Sequence, residues 1–326
     1  MKKILKVLTV ILAVILLWGI THQIMTSVEK SKYTAIGQLV NVDGRNIHIY
    51  TQGEGEKVIV LMSGLGTTAP ALDFEPLMNE LSPYYKVVVV EPFGYGWSDH
   101  TEKERSVENM VNEMRTAMFL ANIDGPYTLM PHSVSGIYAL YYASMYPDEV
   151  EAIVGIDCTL PIQSAYFGEA LPKGVPQFAW VTNSVGISRL MAYLSPKSFV
   201  SENNSGIYSD WNIAMQKRIS AWNNYNKTII AETNMLSKNI EITLALTIPK
   251  ELPALFFIRE PKQIREDGKT KACFYETYIT NSTCQKIVVL EGKHYLHWTR
   301  SHEIAQGLRD FFTSYNSKNT KGIQND

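Results

Sequence analysis

The chain has 326 residues, of which 45% are hydrophobic and 19% are charged, and its formal net charge at pH 7 is −2. This length accommodates one α/β domain with a single insertion and requires no second independent unit. The nearly balanced charge, with no long block of lysine or arginine after the N-terminus, excludes the electrostatic footprint of a nucleic-acid-binding protein. We therefore expect no nucleic-acid partner.

Residues 1–26 differ in composition from the rest, because Lys2, Lys3 and Lys6 precede an apolar run over residues 7–20. No small-x-small cleavage site follows, so we favour an uncleaved membrane anchor over a cleaved signal peptide. A buried amphipathic helix fits less well, since the segment has no polar face. The positive-inside tendency predicts a single-pass protein of the cell membrane with a cytoplasmic N-terminus and an extracytoplasmic domain.

The predicted sheet begins after a polar linker at residues 27–35. Residues 38–50 alternate apolar and polar side chains around Asp43-Gly44, which predicts a hairpin because both turn residues tolerate positive φ. Later runs are continuously apolar and β-branched, as in strands covered by helices on both faces. These strands are predicted at residues 57–62, 85–90, 127–130 and 150–156. Helical patterns separate them, which indicates a doubly wound, mostly parallel α/β sheet with ligands at its carboxyl edge.

The pattern changes over residues 161–250, which are rich in serine, asparagine and aromatic residues and show helical periodicity without a buried strand. We predict a helical cap inserted into the sheet domain. Strand patterns resume at residues 252–258 and 285–290, and residues 301–312 form a final helix. The predicted division is 1–26 for the anchor, 27–35 for the linker, 36–160 and 251–312 for the core, 161–250 for the cap and 313–326 for a flexible tail.

The segment around Ser133 has the pattern of a nucleophile elbow. An apolar strand leads directly into Ser133, which has small neighbours, and a helix-favouring segment follows at residues 137–145. A strand–turn–helix of this kind holds a serine Oγ above the end of a sheet. Ser133 is the predicted nucleophile. Ser135 is the alternative, although it would move the turn past the natural end of the strand.

Two further segments after predicted strands supply the other groups of an acyl-transfer site. Glycines in residues 63–66 let the backbone approach a ligand, so the N–H groups of Leu65 and Val134 would form an oxyanion hole. His294 follows the last strand beside a turn glycine and is the predicted general base. His297 is its competitor. We expect His132 to pack and hydrogen-bond locally.

The order and content of these segments resemble the α/β-hydrolase superfamily, whose capped members cleave ester, amide and carbon–carbon bonds. The resemblance covers about residues 36–312. It implies an eight-stranded sheet, a cap inserted after strand six, and a triad of an elbow serine, an intervening acid and a late histidine, with Ser133 and His294 in two of these roles. The family's His-Gly-x-Gly oxyanion loop corresponds to residues 63–66, with Ser63 in place of histidine.

This sequence departs from the family pattern at the elbow, where G-x-S-x-G reads Pro131-x-Ser133-x-Ser135. It departs again at the acid, because Gln263 lies near the place of the usual aspartate after the seventh strand. Some relatives carry the acid after the sixth strand, where this chain has Asp157 in an apolar segment.

A buried carboxylate requires a partner, and the imidazole of His294 would supply one to Asp157. We favour Asp157 as the triad acid, with Glu260 in reserve. The alternative is that Asp157 only pins the first loop of the cap.

The predicted function is that of a membrane-anchored serine hydrolase that cleaves an ester or amide of a small or acyl-bearing substrate without a cofactor or metal. Aromatic cap residues would cover its apolar pocket or pack within the cap; these are Tyr166, Phe167, Phe178, Trp180, Tyr193, Trp211 and Trp222. A haloalkane dehalogenase fits badly, because its nucleophile is a carboxylate.

Two alternatives stay open. One is a proline-iminopeptidase-like peptidase whose acidic cap residues, Glu169, Glu202 or Glu232, would hold a substrate amino terminus. The other is a binding module that uses the hydrolase scaffold without turnover. An extracytoplasmic location would also permit a disulfide between Cys273 and Cys284, whereas Cys158 is expected to be buried.

Overall fold

The structure is a computed structural model that describes residues 1–203, 206–260 and 265–323. Within these ranges eight strands form one sheet in the order β1-β2-β4-β3-β5-β6-β7-β8. The strands are β1 Gln38–Val42, β2 Arg45–Gln52, β3 Val58–Met62, β4 Lys86–Glu91, β5 Tyr127–Pro131, β6 Val150–Ile156, β7 Ala254–Arg259 and β8 Gln285–Leu290. β2 is antiparallel to β1 and β4, and the other pairs are parallel. The predicted mostly parallel eight-stranded sheet is confirmed.

The alternation of side chains along the central strands builds two apolar layers. Val58, Val60 and Met62 of β3 face one cluster, while Ile59 and Leu61 face the other. Because both faces are covered, the strand is apolar at every position, as parallel-sheet strands are. At the sheet edge, the hairpin turn at Asp43 and Gly44 has φ values of 53° and 80°, which are the positive values that a tight hairpin turn requires.

Helices cover the two faces of the sheet and form the insertion. The helices are α1 Lys2–Lys32, α2 Pro70–Asp73, α3 Glu75–Leu81, α4 Val107–Leu120, α5 Ser135–Met145, α6 Gln163–Phe167, α7 Trp180–Ser184, α8 Ile187–Leu194, α9 Asp210–Asn223, α10 Lys227–Thr243, α11 Lys271–Glu276 and α12 Ser301–Ile323. α4 and α5 pack on one face, whereas α3 and α12 pack on the other. The cap consists of α6 to α10, between β6 and β7, as predicted.

Both terminal helices are longer than the sequence pattern indicates. α1 continues through most of the predicted linker, and α12 continues to Ile323 instead of ending at residue 312. Neither residues 20–32 nor residues 308–321 contain a glycine or proline, so nothing in these stretches breaks a helix. Periodicity located the apolar part of each helix but not the polar turns that extend it.

The three cysteines are not joined to one another in the structure. Cys273 is exposed, whereas Cys158 and Cys284 are buried. The possible bridge between Cys273 and Cys284 is therefore not formed, and the Cys284 thiol instead contacts the backbone carbonyl of Lys250 at 3.6 Å.

Candidate active site

The elbow at Ser133 connects β5 to α5 in a sharply bent backbone. Ser133 has a φ of 56°, a left-handed conformation that costs energy for a residue with a side chain. Pro131 ends β5, and the next residue, His132, donates its N–H to the Met62 carbonyl at 2.8 Å. Proline is therefore accommodated at the first position of the motif, because the ladder to β3 continues from the residue that follows it.

Ser135 occupies the second small position of the motif and has a structural partner. Its Oγ donates a hydrogen bond to the carbonyl oxygen of Ser63, in the loop after β3. Serine thus replaces glycine here by linking the elbow to the neighbouring loop. The alternative in which Ser135 is the nucleophile loses its support, because its hydroxyl is buried and already occupied.

A continuous series of hydrogen bonds joins the three residues predicted as the triad. His294 Nε2 lies 2.8 Å from Ser133 Oγ, and His294 Nδ1 lies 2.6 Å from Asp157 Oδ2. A carboxylate can only accept, so Nδ1 carries the proton and Nε2 accepts from the serine hydroxyl. This is the tautomer in which a histidine can deprotonate a serine.

Asp157 follows β6 with its side chain fully buried, and it has a φ of 41°. Its Oδ1 lies 2.5 Å from the Lys271 ammonium, at the start of α11, and accepts the Arg259 backbone N–H at 3.3 Å. Burial alone would raise the pKa of Asp157, but the hydrogen bond from His294 and the charge of Lys271 outweigh burial and lower that pKa to about 2. The carboxylate that orients His294 is therefore ionised at neutral pH.

The other candidates for the acid do not contact His294 in the described part of the chain. Glu260 is exposed, and its backbone N–H pairs with the Leu290 carbonyl at 2.9 Å. Gln263, near the usual place of the acid, lies outside the described residues. The structure therefore brings Asp157, and not Glu260, against the imidazole.

The loop after β3 lies directly against the elbow. A Cβ added to Gly64 would be 2.9 Å from Ser133 Cβ and 3.1 Å from His132 Nδ1, so only glycine fits without displacement. Gly66 has a φ of 80° and donates its N–H to Tyr95 Oη at 3.2 Å. Among the hydrogen bonds of the described residues, none uses the N–H of Leu65 or Val134. Both predicted oxyanion donors are therefore available to a ligand.

Two histidines near His294 have other partners. His297 is fully buried, and its Nε2 lies 2.7 Å from Asp73 Oδ2, at the end of α2. His132 places Nε2 3.1 Å from the carbonyl oxygen of His294, and its ring centroid is 4.7 Å from that of His294. Burial lowers the pKa of His132 well below its usual value, and the neighbouring His297 and His294 add to this effect. His132 thus packs beside His294, as predicted, but its hydrogen-bond partner is 162 residues away and not local.

Asp73 and Lys271 were missed by sequence reasoning. Asp73 stands inside an apolar stretch, the same signal that identified Asp157, and it accepts hydrogen bonds from Trp298 Nε1 at 2.8 Å and from Ser201 Oγ at 3.0 Å. Lys271 has no such signal, because a lysine at the start of a short helix is ordinarily a solvated surface residue.

Ser133 and His294 open into a pocket of about 660 Å³. Its lining includes four cationic side chains, Arg259, Arg265, Lys269 and Lys271, together with the acidic Glu169 and Glu260. Among the described residues, no group of three or more His, Cys, Asp and Glu side chains could hold a metal ion.

Of the cap residues considered at the sequence level, Phe167 and Glu169 reach this pocket. Glu232 is buried and accepts hydrogen bonds from Tyr95 Oη at 2.7 Å and Tyr138 Oη at 3.2 Å, while Glu202 pairs with Lys293 at 2.8 Å. Trp222 donates its indole N–H to Glu29 of α1 at 2.7 Å. The remaining aromatic residues, Tyr166, Phe178, Trp180, Tyr193 and Trp211, are absent from the pocket lining.

The eight-stranded sheet, the cap after β6 and a Ser–His–Asp series on the turns after β5, β8 and β6 together define the architecture of a capped hydrolase-type domain. A family model described as the alpha/beta hydrolase fold matches residues 57–185. The described residues have the α/β-hydrolase fold.

The chain is also similar to individual proteins. The uncharacterized protein YbdG of Bacillus subtilis is 28% identical over 323 residues, which cover 95% of this chain and 97% of that protein. Serine hydrolase BPHL of Mus musculus is 29% identical over 123 residues, or 35% of this chain and 40% of that protein. The solved structure of the enol-lactonase from Burkholderia xenovorans shares the fold, with a TM-score of 0.57 at 15% identity over 85% of this chain and 100% of that one.

Proposed function

We propose that the chain is a membrane-anchored serine hydrolase that cleaves an ester or amide bond of a small or acyl-bearing substrate. The observation that carries this proposal is the series in which Ser133 Oγ lies 2.8 Å from His294 Nε2 and His294 Nδ1 lies 2.6 Å from Asp157. Relatives that are themselves hydrolases, including a serine hydrolase, support the reaction class.

The reaction follows from the geometry of these groups. His294 Nε2 takes the hydroxyl proton as Ser133 Oγ bonds to the substrate carbonyl carbon, and Asp157 stabilises the resulting imidazolium. The negative charge that forms on the carbonyl oxygen is bound by the N–H groups of Leu65 and Val134. His294 then gives its proton to the leaving alcohol or amine, which departs and leaves an acyl group on Ser133. Water, deprotonated by the same imidazole, then attacks this acyl group; the bond from the acyl carbon to Ser133 Oγ breaks, the imidazolium returns its proton to Oγ and the acid is released.

The anchor is the second part of the proposal. α1 is long and apolar enough to cross a membrane, and the side chains of its apolar stretch are exposed. Lys2, Lys3 and Lys6 precede this stretch, so the positive-inside tendency favours a cytoplasmic N-terminus and an extracytoplasmic domain in the cell membrane. Protease added to intact cells should therefore degrade the domain, whereas complete protection would reverse the topology.

Labelling with a fluorophosphonate tests the chemistry. We expect the full chain to label and Ser133→Ala not to label. Ser144→Ala is the matched control, because Ser144 lies on α5 and its hydroxyl is bound to the Leu140 carbonyl at 2.8 Å. Undiminished labelling of Ser133→Ala would remove Ser133 from its role. A panel of acyl esters and aminoacyl amides then separates an esterase from a peptidase.

A further inference from the structure

Helix α8 of the cap has its apolar side facing outwards. Its buried residues are Ser188, Arg189 and Ala192, two of which are polar. Its large apolar residues are instead between 42% and 70% exposed, and these are Ile187, Leu190, Met191 and Leu194. They follow the i, i+3, i+4, i+7 spacing of one helix face. We refer to these four residues as the cap apolar face.

A helix on a water-facing surface normally turns such a face towards the core. A contiguous row of exposed large apolar side chains marks a surface that is covered by something in the native setting. The preceding segment adds to the apolar character of this region, because Phe178 and Val181 are also exposed. We therefore expect the cap apolar face to be covered by another apolar surface in the native setting.

The C-terminal half of α1 is attached to the cap at the beginning of α8. Trp18 Nε1 donates to the Gly186 carbonyl at 3.2 Å, and Gln23 Nε2 donates to the Ser184 carbonyl at 2.8 Å. The packing is tight, since a Cβ added to Gly186 would lie 2.7 Å from the side chain of His22. The polar side of α8 forms the rest of this contact.

Arg189 is the centre of that polar contact. Its guanidinium donates to His22 Nδ1 at 3.0 Å, to Thr26 Oγ1 at 3.0 Å and to the Glu29 carboxylate at 2.7 Å. Arg189 and His22 are both buried, so the contact fixes α8 against one side of α1. Because Arg189 points towards α1, the opposite, apolar side of α8 points away from it.

The apolar part of α1 ends at the level where α8 begins. The exposed apolar run of α1 reaches Ile20, and polar residues follow at Thr21, His22 and Gln23. Trp18, which contacts Gly186, is an amphipathic residue of the kind that lies at membrane–water boundaries. A bilayer that contains the apolar run of α1 would therefore have its domain-side surface at the start of α8.

We propose that the cap apolar face inserts into the domain-side leaflet of the bilayer that α1 spans, so that the cap lies on the membrane in the manner of an interfacial helix. This inference rests on the membrane anchoring in the proposed function. The occupant is lipid because the residue before α8, Gly186, is hydrogen-bonded to Trp18 at the end of the apolar run of α1, the one segment of the described chain that is long and apolar enough to enter a membrane. The anchor then fixes the orientation of the cap as well as its location.

The test uses the full chain in vesicles of phosphatidylcholine and phosphatidylglycerol in equal amounts. Cys273→Ser removes the exposed thiol and leaves Cys158 and Cys284 buried. An environment-sensitive fluorophore is then attached at Leu194→Cys, at Leu12→Cys in α1, or at Phe119→Cys on α4. These positions are 70%, 57% and 77% exposed, so none of the substitutions disturbs the core. Nitroxide-labelled lipid reports contact with acyl chains.

We expect the labels at residues 12 and 194 to shift to shorter wavelength and to lose roughly half or more of their emission to the nitroxide lipid, whereas the label at residue 119 does neither. A label at 194 that behaves like the one at 119, while 12 is quenched, overturns the inference and leaves the anchor intact. A blue shift at 194 without lipid quenching also overturns it, because a protein surface then covers the face. An unquenched label at 12 contradicts the anchor itself.

Discussion

Lys271 Nζ lies 2.5 Å from Oδ1 of Asp157, the carboxylate whose other oxygen binds His294 at 2.6 Å. A cation on one side and an imidazole on the other let a buried carboxylate remain charged, which burial alone would disfavour. Asp157 thus has three partners from distant parts of the chain, Lys271 on α11, His294 after β8 and Arg259 at the end of β7, whose Nε lies 3.5 Å from Oδ2. The first prediction concerns the Lys271 ammonium.

Replacing Lys271 by glutamine should make folding more sensitive to acid. The pKa of Asp157 is lowered from 3.8 to about 2, so its contribution to stability is present above about pH 4 and is lost as the pH falls towards 2. A shift of this size corresponds to about 2 kcal/mol. Without the lysine charge the pKa of Asp157 rises, so in acid titrations followed by circular dichroism the unfolding midpoint of Lys271→Gln should move to higher pH. Lys269→Gln, which removes a cation paired with the exposed Asp267, is the control and should leave the midpoint unchanged.

The second prediction separates the two carboxylates proposed for the triad. Asp157→Asn keeps the shape of the side chain but removes the charge that fixes the Nδ1–H tautomer of His294, so we expect kcat to fall by about 10⁴. Glu260→Gln changes an exposed carboxylate that has no contact with the imidazole among the described residues, and kcat should stay within about twofold. Steady-state kinetics on an ester that the full chain hydrolyses measures kcat for both variants. The reverse order of effects would transfer the role of triad acid to Glu260.

Sequence reasoning named Ser133, His294 and Asp157, which the structure joins by hydrogen bonds, because their positions follow simple rules. The carboxyl ends of the parallel strands β5, β6 and β8 lie at one edge of the sheet, so the residues that follow these three strands converge. Asp157 was identified because a carboxylate in an apolar segment needs a partner. Lys271 could not be identified in this way, since it is 114 residues away and its own neighbourhood is ordinary for a surface helix.

The orientation of α8 shows a different limit. The helical periodicity noted for the cap is matched by α8, but periodicity does not say whether the apolar face of a helix points to the core or away from it. The direction in which the apolar face of α8 points depends on Arg189, whose partners His22, Thr26 and Glu29 are more than 150 residues earlier in the chain. The length of α12 is a third case, because polar turns carry no apolar signal from which an end can be read.

The third prediction concerns Asp73 as a positioning residue for His294. Its carboxylate holds both His297 and Trp298 in the segment that follows His294, and it also accepts from Ser201 of the cap. Asp73→Asn removes the charge from this buried cluster and should lower kcat by about tenfold to a hundredfold with little change in KM, because the imidazole is displaced while the binding pocket is preserved. It should also reduce the free energy of unfolding by about 1–3 kcal/mol.

The control for Asp73 is Glu80→Gln, since Glu80 also pairs with a histidine, His302, but on the surface at 3.1 Å. An exposed pair of this kind contributes little, so the free energy of unfolding should change by less than about 0.5 kcal/mol and kcat should be unaffected. A merely structural role for Asp73 would lower stability without the change in kcat measured well below the unfolding temperature. That result would contradict the positioning role.

The fourth prediction tests the contact between the oxyanion loop and the elbow. Gly64→Ala places a Cβ at 2.9 Å from Ser133 Cβ and 3.1 Å from His132 Nδ1, which forces the loop that carries Leu65 away from the nucleophile. Because donors to the oxyanion act only when they are correctly placed, we expect kcat to fall by about 10² or more with the fold retained. Gly19→Ala is the control, since its added Cβ would have an ordinary contact of 3.8 Å with Val185 Cα and alanine is favourable inside a helix. Fluorophosphonate labelling rates of the two variants measure the effect without a known substrate. Equal labelling rates for Gly64→Ala and Gly19→Ala would show that the loop can move without loss of reactivity at Ser133, and that the N–H of Leu65 is not an oxyanion donor.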